Sequence, residues 1–248
     1  MDLYDYRNSA REQERVADLM ALLPDGLRSA LDIGARDGFL SLLLADRIGT
    51  VTALDLTLPQ IDDSRIQCVK GDIAALGFAD GSFDLVFCAE VLEHIPPPIL
   101  AQACRELMRV SNRYLIIGVP YRQDTRLGRT TCQSCGRSNP PWGHVNSFDE
   151  RRLHELFADC APVRTSWVGA TREATNPLSS TLMEFAGNPF GSYVQDEPCV
   201  HCGQPLGRPR PRSTLQRVAT RLAVLAQAAQ QPFIATQGNW IHILFQKR

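Results

Sequence analysis

The segment Ala30-Leu-Asp-Ile-Gly-Ala-Arg-Asp-Gly38 constrains this chain more than any other stretch. A short apolar strand ends in an acid, a turn with glycine at both ends follows, and an amphipathic helix begins at Phe39. Leu40, Leu43, Leu44 and Ile48 recur at i, i+3, i+4 and i+8, one face of that helix. Gly34 and Gly38 carry no Cβ, so the backbone can approach a ligand closely. The helix start then aims unpaired N–H groups into the turn. Strand, glycine turn and helix in this order seat a nucleotide-like ligand at the carboxyl edge of a doubly wound sheet.

The next segments extend the pattern. Thr50-Val-Thr-Ala-Leu-Asp55 is a second apolar strand ending in an acid, at the distance from the turn where an acid reaches ribose hydroxyls. Ile66–Lys70 leads to Gly71-Asp72-Ile73. Phe83–Cys88 leads to Ala89-Glu-Val-Leu-Glu-His94, with Asp80-Gly81 as the turn before it.

Together, Leu31-Asp-Ile-Gly34, Asp55, Gly71-Asp72, Phe83-Asp-Leu-Val86 and Val91-Leu-Glu-His-Ile95 resemble the class I S-adenosylmethionine-dependent methyltransferases, in the branch with the ubiquinone-type and other small-molecule enzymes. The resemblance covers roughly residues 10–120 and resumes at the last strand. It implies an α/β fold: a doubly wound, mostly parallel seven-stranded sheet. It also implies roles. Asp32, Gly34 and Gly38 would line the methionine part of the cofactor, and Asp55 would hold the ribose. Asp72 with the backbone of Ile73 would meet the adenine, and Glu90 would begin the active-site floor. The family has glycine midway between Gly34 and Gly38 where this chain has Arg36, whose side chain either crowds the cofactor or points to solvent. The plainer reading of Asp32 and Asp55 is that they are strand-end acids accepting nearby N–H groups.

At 248 residues, 44% hydrophobic, the chain is long enough for one large α/β domain, 1–248, with a modest insertion. Its start is acidic and polar, so no leader is expected, and no apolar run is long enough to cross a bilayer. The expected compartment is the cytoplasm. The net charge of −1 is unevenly spread. After Glu197 come Arg208, Arg210, Arg212, Arg217, Arg221, Lys247 and Arg248, with no carboxylate. Such a tail either meets an anionic partner or membrane surface or forms a solvated helix docked on an acidic core.

A helix is expected over 8–23 with Val16, Leu19, Met20 and Leu23 inward, and another after Pro96-Pro-Pro98 with Leu100, Ala103, Cys104, Leu107 and Met108 inward. Tyr114–Val119 reads as the fifth strand. Order lapses over 120–146 and returns at Ser147-Phe-Asp-Glu150, a capping-box pattern, before a helix with Leu153, Leu156 and Phe157 inward. Pro162–Val168 reads as a sixth strand. An irregular stretch then leads to a helix over 213–230, with Leu215, Val218, Leu222, Leu225 and Ala229 spaced 3,4,3,4. Asn239–Phe245 closes the sheet, antiparallel in the resembling family and placed beside the sixth strand. The insertions, 120–146 and 169–238, follow strands five and six.

Each insertion carries one Cys-x-x-Cys-Gly knuckle: Cys132–Gly136 and Cys199–Gly203. Four thiolates form the tetrahedral set that structural zinc prefers, so Zn2+ is expected to staple a subdomain. Disulfides are disfavoured in the cytosol, a redox Cys-x-x-Cys heads a helix that neither segment has, and an iron–sulfur cluster takes the same four sulfurs. His144 or His201 in place of one thiolate is a further alternative. Cys68, Cys88, Cys104 and Cys160 read as small buried hydrophobes.

For transfer to a hydroxyl, a general base is expected, and histidine suits neutral pH. His94, after the fourth strand, and His144, in Trp142-Gly-His-Val-Asn146, are the candidates, each with a packing role as the alternative. Tyr121 is a candidate wall of the acceptor site and Trp142 a stacking platform; His154 and His242 are expected to be structural. Asn139-Pro-Pro-Trp142 looks like the motif of amino-methyltransferases but follows the fifth strand, not the fourth. The expected function is therefore O-methylation of a small-molecule or glycan acceptor by S-adenosyl-L-methionine. An RNA methyltransferase and a non-catalytic scaffold are the alternatives; near-neutral charge and 7% aromatics count against nucleic acid.

Overall fold

The computed structural model describes residues 7–248; residues 1–6, where the chain's acidic start was read as no leader, lie outside the described residues. The chain forms two compact units. Unit 1 comprises Met1–Tyr121, Phe148–Gly169 and Gly238–Arg248, and unit 2 comprises Arg122–Ser147 and Ala170–Gln237.

Unit 1 runs α1 (Ala10–Ala21), β1 (Ser29–Ile33), α2 (Phe39–Ala45), β2 (Thr50–Asp55), β3 (Ile66–Lys70), β4 (Phe83–Ala89), a 3-10 turn (Leu92–His94), α3 (Pro97–Val110), β5 (Ser111–Pro120), α4 (Glu150–Leu156), β8 (Cys160–Val168) and β9 (Trp240–Lys247). The seven strands order as β3-β2-β1-β4-β5-β9-β8. Pairings from β3 to β5 are parallel, and β9 lies antiparallel between β5 and β8. This is the expected doubly wound, mostly parallel α/β sheet.

The sheet is buried on both faces, which explains why its central strands read as continuous apolar runs. All seven residues of β4 are buried. Leu85 and Phe87 join one core with Leu19, Leu44 and Ile48, while Val86 and Cys88 join the other with Leu100, Leu107 and Phe157. The predicted inner face of α3 is buried at every position. Each such Leu side chain contributes about 1.5–3 kcal/mol. Cys88, Cys104 and Cys160 are buried as expected, whereas Cys68 is half-buried.

Three local expectations change. In α1 the inward face is Glu12, Arg15, Leu19 and Leu22, with Val16, Met20 and Leu23 only half-buried. Arg15 Nε and Nη2 donate to the two oxygens of Glu12 at 2.8 and 2.5 Å. That two-point pairing lets a charged stripe turn inward. The cap of α4 is Asp149, not Ser147: its Oδ1 accepts the Arg152 N–H at 2.9 Å. Glu150 instead accepts the Tyr121 hydroxyl at 2.9 Å. β8 begins at Cys160 and its register shifts between Pro162 and Arg164, where proline lacks the N–H a regular ladder needs.

Unit 2 holds the hairpin β6 (Thr130–Thr131) and β7 (Ser138–Asn139) and the helices α5 (Pro177–Phe185) and α6 (Thr214–Gln230). Ser213 caps α6: its Oγ accepts the Gln216 N–H, and the Gln216 side chain accepts the Ser213 N–H. The helix is where the spacing places it, and its leucine stripe faces outward. Ala219, Thr220 and Ala223 are buried, while Leu215, Val218, Leu222 and Leu225 are exposed.

Candidate cofactor site and metal centre

The turn after β1 is built by backbone geometry. Gly34 and Gly38 have φ of 76° and 83°, and Arg36 between them has φ of 52°. A Cβ at Gly34 would lie 2.5 Å from Val91 Cγ2, and one at Gly38 would lie 2.5 Å from Ile61 Cδ1. Both positions therefore require glycine. The N–H groups of Gly34 and Ala35 donate to the Leu54 carbonyl at 2.8 and 3.1 Å, tying the turn to β2. Arg36 stands where the resembling family has glycine; it accepts the left-handed conformation, and its side chain is exposed.

The strand-end acids divide into two kinds. Asp55 is half-buried; Oδ2 accepts the Arg36 N–H at 2.9 Å and Oδ1 the Thr57 N–H at 3.2 Å. Each oxygen keeps a second acceptor site. Asp32 is buried and accepts the Ser41 hydroxyl at 2.5 Å, fastening β1 to α2. Burial pushes its carboxyl up to about 7; the Ser41 bond opposes this and the nearby Asp55 charge adds to it. After β3, Asp72 is exposed, and its Oδ1 accepts the Ala74 N–H at 2.8 Å. The Ile73 side chain enters the core.

At the end of β4, Glu90 has φ of 57° and donates its N–H to the Gly118 carbonyl of β5. Its Oε2 accepts the Trp240 indole N–H at 3.2 Å, and Oε1 is buried with no partner among the described residues. Glu93, which the sequence reading passed over, is fully buried with neither oxygen partnered among those residues. Burial raises both carboxyls; the charge of Arg15 opposes this at Glu90, and the charge of Glu90 pushes Glu93 further up. The visible signal for Glu93 was a second acid inside the otherwise apolar Val91–Ile95 segment. His94 follows, a ring nitrogen of it within 4.8 Å of a Glu93 carboxylate oxygen. Burial, with the charge of Arg36 adding, holds its imidazole down at about 4, so it is neutral at pH 7.

His144 belongs to unit 2, where it is buried with Nδ1 2.6 Å from Gln123 Oε1. Trp142 is exposed and donates its backbone N–H to Gln195 Oε1. In unit 1 His242 is fully buried against Asp18 Oδ2 at 2.6 Å, and the exposed His154 stands edge-on to Phe245.

The two knuckles of unit 2 are copies of one turn. Gly136 N–H donates to the Cys132 carbonyl and Gly203 N–H to that of Cys199, at 2.9 and 2.8 Å, with φ of 72° and 68° at the glycines. The four sulfurs of Cys132, Cys135, Cys199 and Cys202 lie within 4.8 Å of one another. Cys132 to Cys202 and Cys135 to Cys199 are both 3.7 Å. A tetrahedron with zinc–sulfur bonds of about 2.3 Å has edges of about 3.8 Å. The N–H groups of Cys135 and Ser134, working against burial, bring the Cys132 thiol down to about 6. His201 Nε2 lies 2.9 Å from the Ser138 carbonyl, outside the sulfur set. Asn139 is buried; Oδ1 accepts the Val200 N–H at 2.9 Å and Nδ2 donates to the Arg137 carbonyl, so it joins one knuckle to the other. Unit 2 also has an open cavity of about 420 Å3. Two of its arginines are engaged: Arg126 with Asp124, and Arg172 with the carbonyls of Gln231 and Ile234.

Residues 31–114 match the methyltransferase domain family. The chain is 34% identical over 98 residues to a ubiquinone biosynthesis O-methyltransferase of Idiomarina loihiensis, covering 34% of this chain and 40% of that enzyme. It is 37% identical over 93 residues to the enzyme of the same name from Xanthomonas campestris pv. campestris, covering 32% and 38%. The chain thus spans well under half the length of these curated relatives. Among solved structures, N-methyltransferase NodS of Bradyrhizobium japonicum in complex with S-adenosyl-L-homocysteine superposes with a TM-score of 0.56 at 16% identity, covering 99% of this chain and 92% of that one. The 1,6-didemethyltoxoflavin-N1-methyltransferase of Burkholderia thailandensis superposes at 0.55 and 16%, covering 98% and 80%.

Proposed function

We propose that this chain, which carries a class I S-adenosylmethionine-dependent methyltransferase domain at residues 31–114, moves a methyl group from S-adenosyl-L-methionine to an oxygen of a small-molecule acceptor. The observation that carries the reading is the row of groups at the carboxyl ends of adjacent parallel strands: Gly34 after β1, Asp55 at the end of β2, Asp72 after β3 and Glu90 after β4. Ligands bind such sheets along that edge.

In this reading Asp55 takes the ribose hydroxyls on its spare acceptor sites and Asp72, with the Ile73 backbone, takes the adenine. The Gly34–Gly38 turn faces the methionine portion, with Asp32 fixing β1 to α2 behind it. The buried Oε1 of Glu90, without a partner among the described residues, supplies an acceptor for a donor on the ligand. Bound there, the cofactor supplies a methyl group already activated on a sulfonium, so the chain's work is alignment and exclusion of water. His94 is neutral at pH 7 and can accept a proton, but an imidazole held at about 4 is a weak base. The Tyr121 hydroxyl, fixed by Glu150, is a wall group. Oxygen is the favoured acceptor atom because the curated relatives are named O-methyltransferases. A sugar-linked acceptor and a catalytic His144 remain part of the proposal on the sequence pattern alone.

Cys132, Cys135, Cys199 and Cys202 are proposed to hold a structural Zn2+. Four thiolates leave no open position for substrate, so the ion orders unit 2 rather than reacting.

Titration calorimetry with S-adenosyl-L-methionine and S-adenosyl-L-homocysteine tests the first step, and transfer of labelled methyl to fractionated small-molecule extracts tests the second. Binding followed by label on an ether oxygen is expected. No heat at millimolar cofactor would overturn the reading, and binding without transfer to any fraction would favour a scaffold.

A further inference from the structure

Helices α5 and α6 of unit 2 turn their large apolar residues to the outside and their small ones to each other. Ser179 Oγ donates to the Ala223 carbonyl at 2.8 Å, and Asn176 Nδ2 donates to that of Ala226 at 3.0 Å. The buried side of α6 is Ala219, Thr220 and Ala223. Leu178 and Phe185 on α5 are 62% and 55% exposed, and Leu215 and Leu225 on α6 are both 65% exposed. A helix pair that faces only water has the opposite arrangement, since burying a leucine is worth far more than burying an alanine.

Leu215, Val218, Leu222 and Leu225 follow one another at steps of 3, 4 and 3, so they form a single stripe along α6. Arg217 and Arg221 are exposed beside that stripe, and Arg208 and Arg210 are exposed just before the helix. Arg212 donates to Thr220. From Pro198 to Gln237 there are these five arginines and no carboxylate. The one acid of α5, Glu184, faces Arg129 at 3.8 Å.

We propose that the outer face of α5 and α6 docks on an anionic lipid bilayer, with α6 lying in the plane of the interface. The apolar stripe enters the headgroup–acyl boundary while the arginines meet lipid phosphates. Charge selects this occupant. A second copy of the chain would set the same five arginines against each other. A nucleic acid offers phosphates but no apolar layer for the leucines to enter. At 17 residues α6 is shorter than the roughly 20 apolar residues a span needs.

The test is sedimentation of the full chain with vesicles of phosphatidylcholine alone or with about one third phosphatidylglycerol. Binding to the anionic vesicles only, weakened by high salt, is expected. The pairs Arg217→Gln/Arg221→Gln and Leu222→Gln/Leu225→Gln should each weaken it about tenfold or more. Leu178→Gln/Phe185→Gln, on the other helix, should weaken it as well. All six side chains are exposed or partly so, and cofactor binding by each variant checks that unit 1 is intact. Absence of sedimentation with anionic vesicles would overturn the proposal, as would equal sedimentation by all three pairs. A dimer abolished by the leucine pair, or tighter capture by an RNA duplex than by vesicles, would also overturn it. None of these outcomes bears on methyl transfer, which is tested separately.

Discussion

The indole N–H of Trp240 donates to Glu90 Oε2 at 3.2 Å, joining the first residue of the closing strand to the residue just after β4. The two are 150 positions apart in the chain. Their contact crosses β5 and fixes the carboxylate whose other oxygen is buried with no partner among the described residues. Arg11 and Arg15 lie over the same indole, 4.9 and 5.8 Å from the ring centroid.

Trp240→Phe keeps an aromatic face for those two arginines but removes the donor together with part of a buried ring. The expected loss is about 1–3 kcal/mol, since a buried acceptor loses its partner. Chemical denaturation measures it, and an unchanged midpoint would show that the bond contributes nothing to folding.

Asp55→Asn retains a carbonyl for the Arg36 N–H and gives up the negative charge and the second full acceptor. Folding should change little, while affinity for S-adenosyl-L-homocysteine should fall about tenfold or more, as expected when a charged hydrogen bond worth about 1.5–3 kcal/mol is lost. Calorimetry decides it; equal affinity would leave Asp55 as a backbone cap alone.

Mass spectrometry of the native protein should find one zinc ion per chain. Cys135→Ser or Cys202→Ser, both at exposed ligands, should lose the ion and make unit 2 protease-sensitive. Cofactor binding by unit 1 reports that its fold persists. A metal-free chain with equally resistant unit 2 would remove the zinc from the account.

Asp32 gives a pH dependence of definite sign. Its folded carboxyl titrates near 7, against about 3.9 in the unfolded chain, so the folded state holds the extra proton. The stability this contributes is complete below pH 4 and is lost as pH rises towards 7. Relative to Asp32→Asn, the wild type should lose roughly 1.4 kcal/mol per pH unit across that window. His94 acts oppositely: its folded imidazole titrates at about 4, so its contribution is present above about 6.5 and lost as pH falls. Denaturation at pH 4, 5.5 and 7 on wild type and variant separates the two, and parallel curves would refute the Asp32 assignment.

Much of this protein was fixed by local sequence. The strand segments, the β1 turn and the knuckles depend on short-range features: apolar runs long enough for a sheet covered on both faces, glycines where φ is positive, cysteines with two residues between them. Gly34 and Gly38 were identifiable because a close-approach turn leaves no room for a Cβ there, and Cys132–Gly136 and Cys199–Gly203 because the turn is the same in both. Tertiary structure decided what period and composition leave open. The 3,4,3,4 spacing of α6 marks a stripe but not whether protein covers it, and here Ala219 and Ala223 are buried while the leucines face out. The mutual bond of Glu12 and Arg15 turns both inward on α1, which the period of its apolar residues does not announce. Burial is what raises the Glu93 carboxyl and lowers the His94 imidazole. The cost of placing charge in low dielectric is set by neighbours far away in sequence, and no window of the chain contains them.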